Sequence, residues 1–400
     1  MFAPYRSLVT IPGIGPFIVG AFLARVGGAM FGVAVIVMVS SRRGSYGLAG
    51  AVSAVGVLVL AAAGPLIGRL IDKYGQRRVA LPFMVSSFLF SVACTACSLA
   101  DAPVWTLFVT YAASACLPEM GPLTRARWAY VLRDQPDRLH VAMSFEQVAD
   151  EAGFVLGPVI AVGLSTLVLP EAGLLAAAIL FGVGTFVVLQ NRATEPVVVP
   201  HHERPAGLAV RCPGLVPVTM ALTMTGVIFG GNEVVAVAVA DEAGQKPFSS
   251  VVLALFALGS MIAGLAYGAR TFGSSLAKRL GLTAAAMAVL EVPALFAPSL
   301  WWLAGVMLVA GCATAPLLIT AMTLSQRILP RALVTEGLAI AVTGILVGIS
   351  LGTAIAGWAV EHLGAQEAYA VPVLAGGLAV LIIALSRPVL VRAERAATAG

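Results

Sequence analysis

The 400-residue sequence is 60% hydrophobic and only 11% charged, and its mean hydropathy is +0.98. Soluble domains carry about a quarter charged residues, so this composition excludes a soluble globular protein and predicts a chain that folds in lipid. The formal net charge of +5 comes from loops and ends, and no basic run is interleaved with aromatic residues. The charge pattern therefore argues against nucleic-acid binding.

Twelve apolar segments, each long enough to cross a membrane as a helix of about 20 residues, follow one another along the chain. The start lacks a short apolar core with a small-residue cleavage site, so we expect no removable signal peptide. The segments cover 16–40, 48–71, 79–100, 104–124, 145–168 and 172–190, then 215–239, 248–270, 280–299, 301–325, 333–358 and 368–386. The sequence thus predicts an all-α membrane protein with twelve transmembrane helices in two six-helix bundles.

A glycine-spaced, charge-dense loop joins the second and third segments. It reads Gly68-x-x-x-Asp72-x-x-Gly75-x-Arg77-Arg78, in which the glycines permit a tight turn and the arginines mark a cytoplasmic edge. This pattern resembles the signature between helices 2 and 3 of major facilitator superfamily transporters. The resemblance implies the major facilitator fold, and we expect a gating loop here in which Asp72 and Arg78 help to hold the inward side closed. An ordinary basic loop is the alternative.

The fifth segment contains a second pattern, Gly153-x-x-x-Gly157-Pro158. It resembles the core of a signature of antiporter members of the superfamily, although Ala161 and Val162 stand where the full pattern has further glycines. Glu146 and Asp150 continue the same helical stripe. We therefore expect Glu146, Asp150, Gly153, Gly157 and Pro158 to form a helix 5 interface between the two halves. A small-residue packing face with a proline bend is the alternative.

A polar, proline-rich stretch, 191–214, separates the sixth and seventh segments and cannot propagate a helix. It predicts an N-terminal six-helix bundle over 1–190, a cytoplasmic linker over 191–214, and a C-terminal six-helix bundle with a short cytoplasmic tail over 215–400. Two halves of six helices suggest an internal duplication, which the sequence itself supports only weakly.

The distribution of lysine and arginine predicts the orientation. If both termini are cytoplasmic, the inside regions hold 20 of the 24 basic residues and the outside loops hold three. The positive-inside rule therefore favours a multi-pass protein of the cell membrane with cytoplasmic termini. Arg42 and Arg43 are exceptions on the outside, and the sequence gives them no role.

Three ionisable residues, Arg25, Glu119 and Glu233, lie inside the first, fourth and seventh segments. Ionisable groups in hydrocarbon are costly and are paired or functional by default, and small residues share the helix face of each one. In the superfamily, helices 1, 4, 7 and 10 line the cavity. The resemblance implies that these residues face the transport path, with Glu119 as the proton-coupling carboxylate and Arg25 as its partner. A static salt bridge is the alternative. Glu291, on helix 9, suggests structural pairing.

The sequence favours a proton-coupled exporter, or antiporter, of small amphipathic organic compounds, since helices 7 and 10 carry few hydrogen-bonding side chains. A proton-coupled importer of a small anionic metabolite, with Arg25 as counter-charge, stays open, as does a non-transporting membrane sensor. No nucleotide-binding loop and no catalytic or zinc-ligand cluster occurs, which argues against an enzyme. We expect a monomer in the lipid bilayer whose partners are its substrate and protons, without a metal, cofactor or nucleic acid.

Overall fold

The computed structural model describes residues 3–11, 13–198, 207–245 and 248–399. Fourteen α-helices account for most of these residues, with short 3-10 turns and no strand among them. The helices are α1 Ala3–Val9, α2 Ile14–Arg43, α3 Tyr46–Tyr74, α4 Gln76–Leu99, α5 Val104–Ser114, α6 Met120–Val131, α7 Pro136–Leu167, α8 Ala172–Gln190, α9 Leu215–Glu242, α10 Ser249–Gly268, α11 Leu276–Glu291, α12 Leu300–Ile328, α13 Val334–Leu363 and α14 Ala370–Ala399. The predicted all-α membrane fold is confirmed.

Eleven helical stretches of the described chain are long and apolar enough to cross a membrane. They correspond to every predicted segment except the fourth. The fourth segment instead comprises α5, which is apolar but only 11 residues long, followed by α6. The ninth and tenth segments are separated at 297–299, where α11 passes into the 3-10 turn Val292–Phe296 before α12 begins.

The prediction of one continuous helix over 104–124 is wrong, because the chain leaves the helical path between Ser114 and Met120. Pro118 lies in this break and has no N–H to donate to the carbonyl of Ser114 four residues earlier. The hydroxyl of Ser87 on α4 donates to that carbonyl instead, at 2.6 Å. A buried serine of the neighbouring helix thus replaces the hydrogen bond that the proline removes.

Contacts divide the chain into two compact units. The N-terminal unit comprises Tyr5–Pro136 and Ala149–Arg204, and the C-terminal unit comprises Met1–Pro4, Asp137–Val148 and Pro205–Gly400. Helix α7 contributes to both, since its first turns group with the C-terminal helices. The predicted limits of two bundles and a linker stay a prediction, and 199–206 of that linker lie outside the described residues.

Glycines allow the first and fifth spans of each unit to pack closely. In the C-terminal unit α9 packs along α13, and a Cβ on Gly226 would lie 2.9 Å from the Cα of Gly348. In the N-terminal unit a Cβ on Gly157 of α7 would lie 2.8 Å from the Cβ of Ala29 and 3.0 Å from the carbonyl oxygen of Val26, both on α2. Small residues let the two backbones approach, which is the usual basis of helix packing in lipid.

An ion-pair clamp occupies the end of the N-terminal unit where α2 finishes. Arg42 donates to both carboxylate oxygens of the fully buried Glu171, at 2.6 Å and 3.0 Å, and Ser98 donates to Glu171 at 3.3 Å. Arg43 donates to the carbonyl of Ala102 at 2.6 Å. These bonds connect the end of α2 to the turns after α4 and before α8. Arg42 and Arg43, to which the sequence assigned no role, therefore have a structural role.

We expect Ser87→Ala to destabilise the protein by about 1–3 kcal/mol, because the Ser114 carbonyl would stay buried without a donor. Thermal unfolding of the purified protein in detergent measures this loss. Ser86→Ala is the matched control, since the neighbouring serine makes no hydrogen bond in the described structure. Equal stability of the two variants would contradict the role of Ser87 at the helix break.

We expect Gly157→Leu to destabilise the packing of α7 on α2 by about 1–3 kcal/mol, because the new side chain has no room against Ala29. Gly163→Leu on the same helix is the control, since a Cβ there meets nothing within 4 Å. Thermal unfolding of both variants decides the matter, and an equal loss in both would show that close packing on α2 is not responsible.

Candidate functional site

Three charged side chains meet inside the N-terminal unit. Asp150 of α7 accepts hydrogen bonds from Arg25 Nε of α2 and from Arg125 Nη2 of α6, each at 2.5 Å. The side chains of Arg25 and Arg125 are 5% and 3% exposed, and that of Asp150 is 21% exposed. One carboxylate thus bridges two buried guanidinium groups, and the bridge joins three helices that the chain brings from distant positions.

The surroundings of Arg25 fix its orientation. Its Nη2 donates to the hydroxyl of Thr124 at 2.7 Å and its Nη1 to the carbonyl of Ala21 at 3.4 Å. Gly153 on α7 has no side chain, so the α7 backbone packs directly against Arg25. A Cβ added to Gly153 would lie only 3.3 Å from the Cβ of Arg25. Gly153 therefore brings the two helices together at the depth where Arg25 meets Asp150, one turn earlier on α7.

The expected pairing of Arg25 with Glu119 is wrong. Arg25 bonds to Asp150 instead, and both carboxylate oxygens of Glu119 lack a hydrogen-bond partner in the described structure. The reason is the break in the fourth span. It places Glu119 immediately before α6, where the carboxylate contacts Gly64 of α3 and makes no capping bond to its own helix.

Glu119 is consequently an unusual carboxylate. Part of the residue is accessible, but both oxygens are buried and no arginine, lysine or histidine bonds to them. A buried ionised carboxylate without a partner is strongly unfavourable, whereas its protonated form is tolerated. The site has the chemistry of a group that gains and loses a proton as its access to water changes.

The remaining residue proposed for the transport path, Glu233, lies in the C-terminal unit. It occupies the middle of α9 and is exposed, and it has no hydrogen-bond or ion-pair partner among the described residues. Glu233 therefore belongs to a different unit from Arg25 and Glu119.

The glycine-spaced loop after α3 is held by side chains of its own unit. Gly75 adopts φ +95°, a conformation that favours glycine, and ends α3. Gln76 donates to the carbonyl of Leu123 at 3.1 Å and accepts from Arg127 Nε at 2.6 Å. The backbone N–H of Arg77 donates to Glu195 at 2.9 Å. The loop is thus bonded both to α6 and to the chain that follows α8.

Other residues of the two patterns take varied positions. Gly68 is buried on α3, Asp72 is half-buried and Arg78 is exposed. On α7, Glu146 is buried one turn before Asp150, and Pro158 lies within the continuous helix. Gly153 and Gly157 pack on α2 inside the N-terminal unit, and their expected place at an interface between the two halves stays a prediction. Gly153 meets Arg25 there, and Gly157 meets Val26 and Ala29.

Sequence reasoning missed two buried arginines, Arg125 and Arg127, which it assigned to a cytoplasmic loop. Arg127 is fully buried and donates through Nη1 to the carbonyls of Val188 and Asn191 and to the hydroxyl of Thr194, at 2.7–2.8 Å. Pro118, which predicts a helix break, is the sequence feature that could have revealed the burial of Arg125 and Arg127. It lets a second short helix, α6, carry these residues into the packed part of the unit.

No three His, Cys, Asp or Glu side chains of the described residues come together in a way that could hold a metal ion. A shallow cavity of about 440 Å³ at the end of α11 is lined by the apolar side chains of Val289, Val292, Pro293, Phe296 and Trp302. The side chains that line it carry no charge, and it lies in the C-terminal unit.

Comparison with known proteins identifies the family. The profile of the Major Facilitator Superfamily matches residues 17–293. No curated protein sequence matches the chain.

Solved structures are similar along nearly the whole chain. A bacterial homologue of the iron transporter ferroportin in an outward-facing state is 15% identical with a TM-score of 0.76, covering 94% of this chain and 99% of its own. The human organic anion transporter MFSD10 is 16% identical with a TM-score of 0.67, covering 95% and 99%. The Escherichia coli fucose:proton symporter is 12% identical with a TM-score of 0.68, covering 94% and 99%. At this identity the likeness concerns the fold.

The match of the family profile to more than half of the chain, together with the helical fold, settles the classification. The chain belongs to the major facilitator superfamily and is a multi-pass membrane transporter, not an enzyme.

Proposed function

We propose that the protein is a proton-coupled exporter of small amphipathic organic compounds in the cell membrane, with both termini cytoplasmic. The observation that carries the proposal is the environment of Glu119, whose two carboxylate oxygens are buried without a partner at the break in the fourth span. Protonation at this residue removes a charge that the protein leaves uncompensated. Proton binding and release at Glu119 therefore couples transport to a pH gradient.

Asp150 is the less suitable proton carrier, although it is also a carboxylate inside the N-terminal unit. Two guanidinium groups bond to it at 2.5 Å, so its negative charge is compensated. Protonating Asp150 would strand two buried arginines, and breaking a buried ion pair costs about 3–5 kcal/mol. We assign Arg25 and Asp150 to holding the transport path of this unit in shape.

The character of the cargo follows from the helices that the superfamily places around its cavity. The buried side chains of α12 are mostly Ala, Leu and Met, and those of α9 are mostly small and apolar. An exposed carboxylate in the middle of a membrane span does not face acyl chains, so we place Glu233 on the transport path. An apolar path with few charged groups suits amphipathic compounds.

We extend the proposal to the loop after α3 and to α7. The loop acts as the inward gate through Gly68, Asp72, Gly75, Arg77 and Arg78. The hydrogen bonds of Gln76 and Arg77 hold this loop in position. The face of α7 from Glu146 to Pro158 moves with that gate, since α7 contributes to both units.

Import of a small anionic metabolite is the less favoured alternative. It needs a guanidinium group that is available to the cargo, but Arg25 already bonds to Asp150, Thr124 and Ala21. The anionic cargo would have to displace Asp150 from a short ion pair. The observed bonds of Arg25 thus weigh against this function.

We expect Glu119→Gln to abolish transport driven by a pH gradient while cargo exchange without a gradient persists, because glutamine cannot release a proton. Energised everted membrane vesicles with ethidium as the fluorescent cargo measure the driven flux, and preloaded proteoliposomes measure exchange. Uptake into everted vesicles corresponds to export.

Asp150→Asn is the comparison, since it removes the carboxylate that bridges Arg25 and Arg125. It leaves Arg25 and Arg125 uncompensated, so we expect a loss of about 3–5 kcal/mol of stability and of driven flux and exchange together. Full pH-driven flux in Glu119→Gln would disprove proton coupling at this residue, and flux in the opposite direction would favour the importer.

We expect Asp72→Asn to reduce flux strongly while the protein still inserts and folds, because the loop would lose a charge needed to close the inward gate. Lys73→Gln is the control, since it changes the charge of the adjacent, exposed position in the same loop. Flux per folded molecule is compared after quantifying each variant in membranes. Near-normal flux in Asp72→Asn would rule out the gate.

A further inference from the structure

A buried carboxylate of the C-terminal unit, Glu291, takes no part in the function proposed above. It is the last residue of α11, is 0% exposed, and precedes the 3-10 turn Val292–Phe296. Its environment is apolar, since the cluster around this end of the unit includes Ala294, Leu300 and Ala368. A charge at this position would have no access to water.

One side chain bonds to Glu291. The amide nitrogen of Asn232 on α9, 2% exposed, donates to Glu291 Oε1 at 3.0 Å. The other oxygen of each group, Glu291 Oε2 and Asn232 Oδ1, is buried and has no partner in the described structure. Both atoms are acceptors when the carboxyl group is ionised, so neither can satisfy the other.

No cation compensates Glu291. Neither Glu291 nor Asn232 has a further bond or ion pair within the described chain. Tyr369, in the turn before α14, interacts with Glu291 electrostatically, but its hydroxyl is also without a hydrogen-bond partner. The nearest acidic residues along the chain, Glu233 beside Asn232 and Glu367 beside Tyr369, are exposed. The buried cluster therefore consists of the carboxyl group of Glu291, the amide of Asn232 and the phenol of Tyr369.

We propose that Glu291 and Asn232 form a proton-binding site in the C-terminal unit, in which Glu291 is a neutral carboxylic acid whose proton on Oε2 is donated to Asn232 Oδ1. One hydrogen atom then satisfies both partnerless oxygens. An acid and an amide make two parallel hydrogen bonds, one from the amide N–H to the acid carbonyl and one from the acid O–H to the amide oxygen. The first of these is the observed bond.

This proton is a resident part of the fold and not a transported one. Both side chains are buried among α9, α11 and the turn Glu367–Tyr369, all within the C-terminal unit. The neighbouring bond from Gln366 to the carbonyl of Ala294, at 2.6 Å, ties the same turn to the end of α11. The acid–amide pair thus joins α9 to a junction between α11 and α14. The inference does not rest on the proposed function of Glu119.

Infrared difference spectra of the purified protein in lipid at neutral pH test the protonation state directly. Glu291→Gln is the test variant, because glutamine can make both hydrogen bonds to Asn232 and so keeps the fold. We expect the variant to lose one carboxylic-acid carbonyl band relative to the wild type, with the carboxylate bands unchanged. Loss of carboxylate bands instead would overturn the proposal.

Asn232→Leu is the second variant, and it separates the site from other buried acids. It removes the amide from Glu291, so the acid band should persist and move to higher frequency as its hydrogen bonds are lost. An acid band that is unaffected by Asn232→Leu would show that the proton lies on another residue and would overturn the assignment.

The pH dependence of thermal unfolding is an independent readout. A carboxyl group that is neutral in the folded state and ionised in the unfolded state stabilises the fold at low pH and loses that contribution as pH rises. We expect the Tm of the wild type to fall relative to that of Glu291→Gln by about 2–4 °C per pH unit as the pH rises above about 4.3, the pKa of an unfolded glutamate. Equal pH profiles would contradict the proposal.

Two further measurements exclude other occupants and roles. A rise in the Tm of the wild type with sodium chloride over potassium chloride at equal ionic strength, absent from Glu291→Gln, would mean that the site holds a sodium ion and not a proton. Glu291→Gln should keep pH-driven flux of ethidium, unlike Glu119→Gln. Loss of that coupling in a folded Glu291→Gln protein would show that the proton is transported, against the resident role.

Discussion

The bridge from Asp150 to Arg25 and Arg125 is the interaction on which the N-terminal unit depends. Hydrocarbon cannot solvate a charge, so each of these residues is tolerable only because the others compensate it. The bridge therefore fixes the relative depth of α2, α6 and α7, three helices that hydropathy alone leaves free to slide. Thr124 and Gly153 reinforce this register, the first by a hydrogen bond to Arg25 and the second by close approach.

The break in the fourth span follows from a different constraint, the missing N–H of Pro118. A helix in lipid must satisfy every backbone carbonyl, and Ser87 does so for Ser114 from a neighbouring helix. The break has a consequence for chemistry, because it removes Glu119 from a regular helix and turns its carboxylate toward Gly64. A continuous helix over the same residues would give Glu119 another direction and other neighbours.

Much of the fold could be predicted from the sequence, and the site only in part. Apolar length identified eleven of the twelve spans, because lipid thickness sets helix length. The partners of the charged residues could not be predicted, since Arg25 meets Asp150 across 125 residues and Asn232 meets Glu291 across 59. Hydropathy also assigned Arg127 to a loop, although the residue is fully buried. Four hydrogen bonds to its guanidinium group make the charge tolerable where composition alone would exclude it.

Four acids of this transporter, Asp150, Glu171, Glu119 and Glu291, separate into two chemical classes according to their partners. Asp150 and Glu171 bond to arginines and act as ionic ties within the N-terminal unit. Glu119 and Glu291 have buried oxygens without a cation, so the neutral acid is their stable form in a dry site. The two differ in turn, because Glu291 has an amide that one proton completes, whereas Glu119 has no partner at all. At Glu291 the hydrogen bond to Asn232 adds to the effect of burial in holding the proton, whereas at Glu119 burial alone holds it, so the proton leaves when water reaches the carboxyl group. That difference is the physical basis for assigning a resident proton to Glu291 and a mobile one to Glu119.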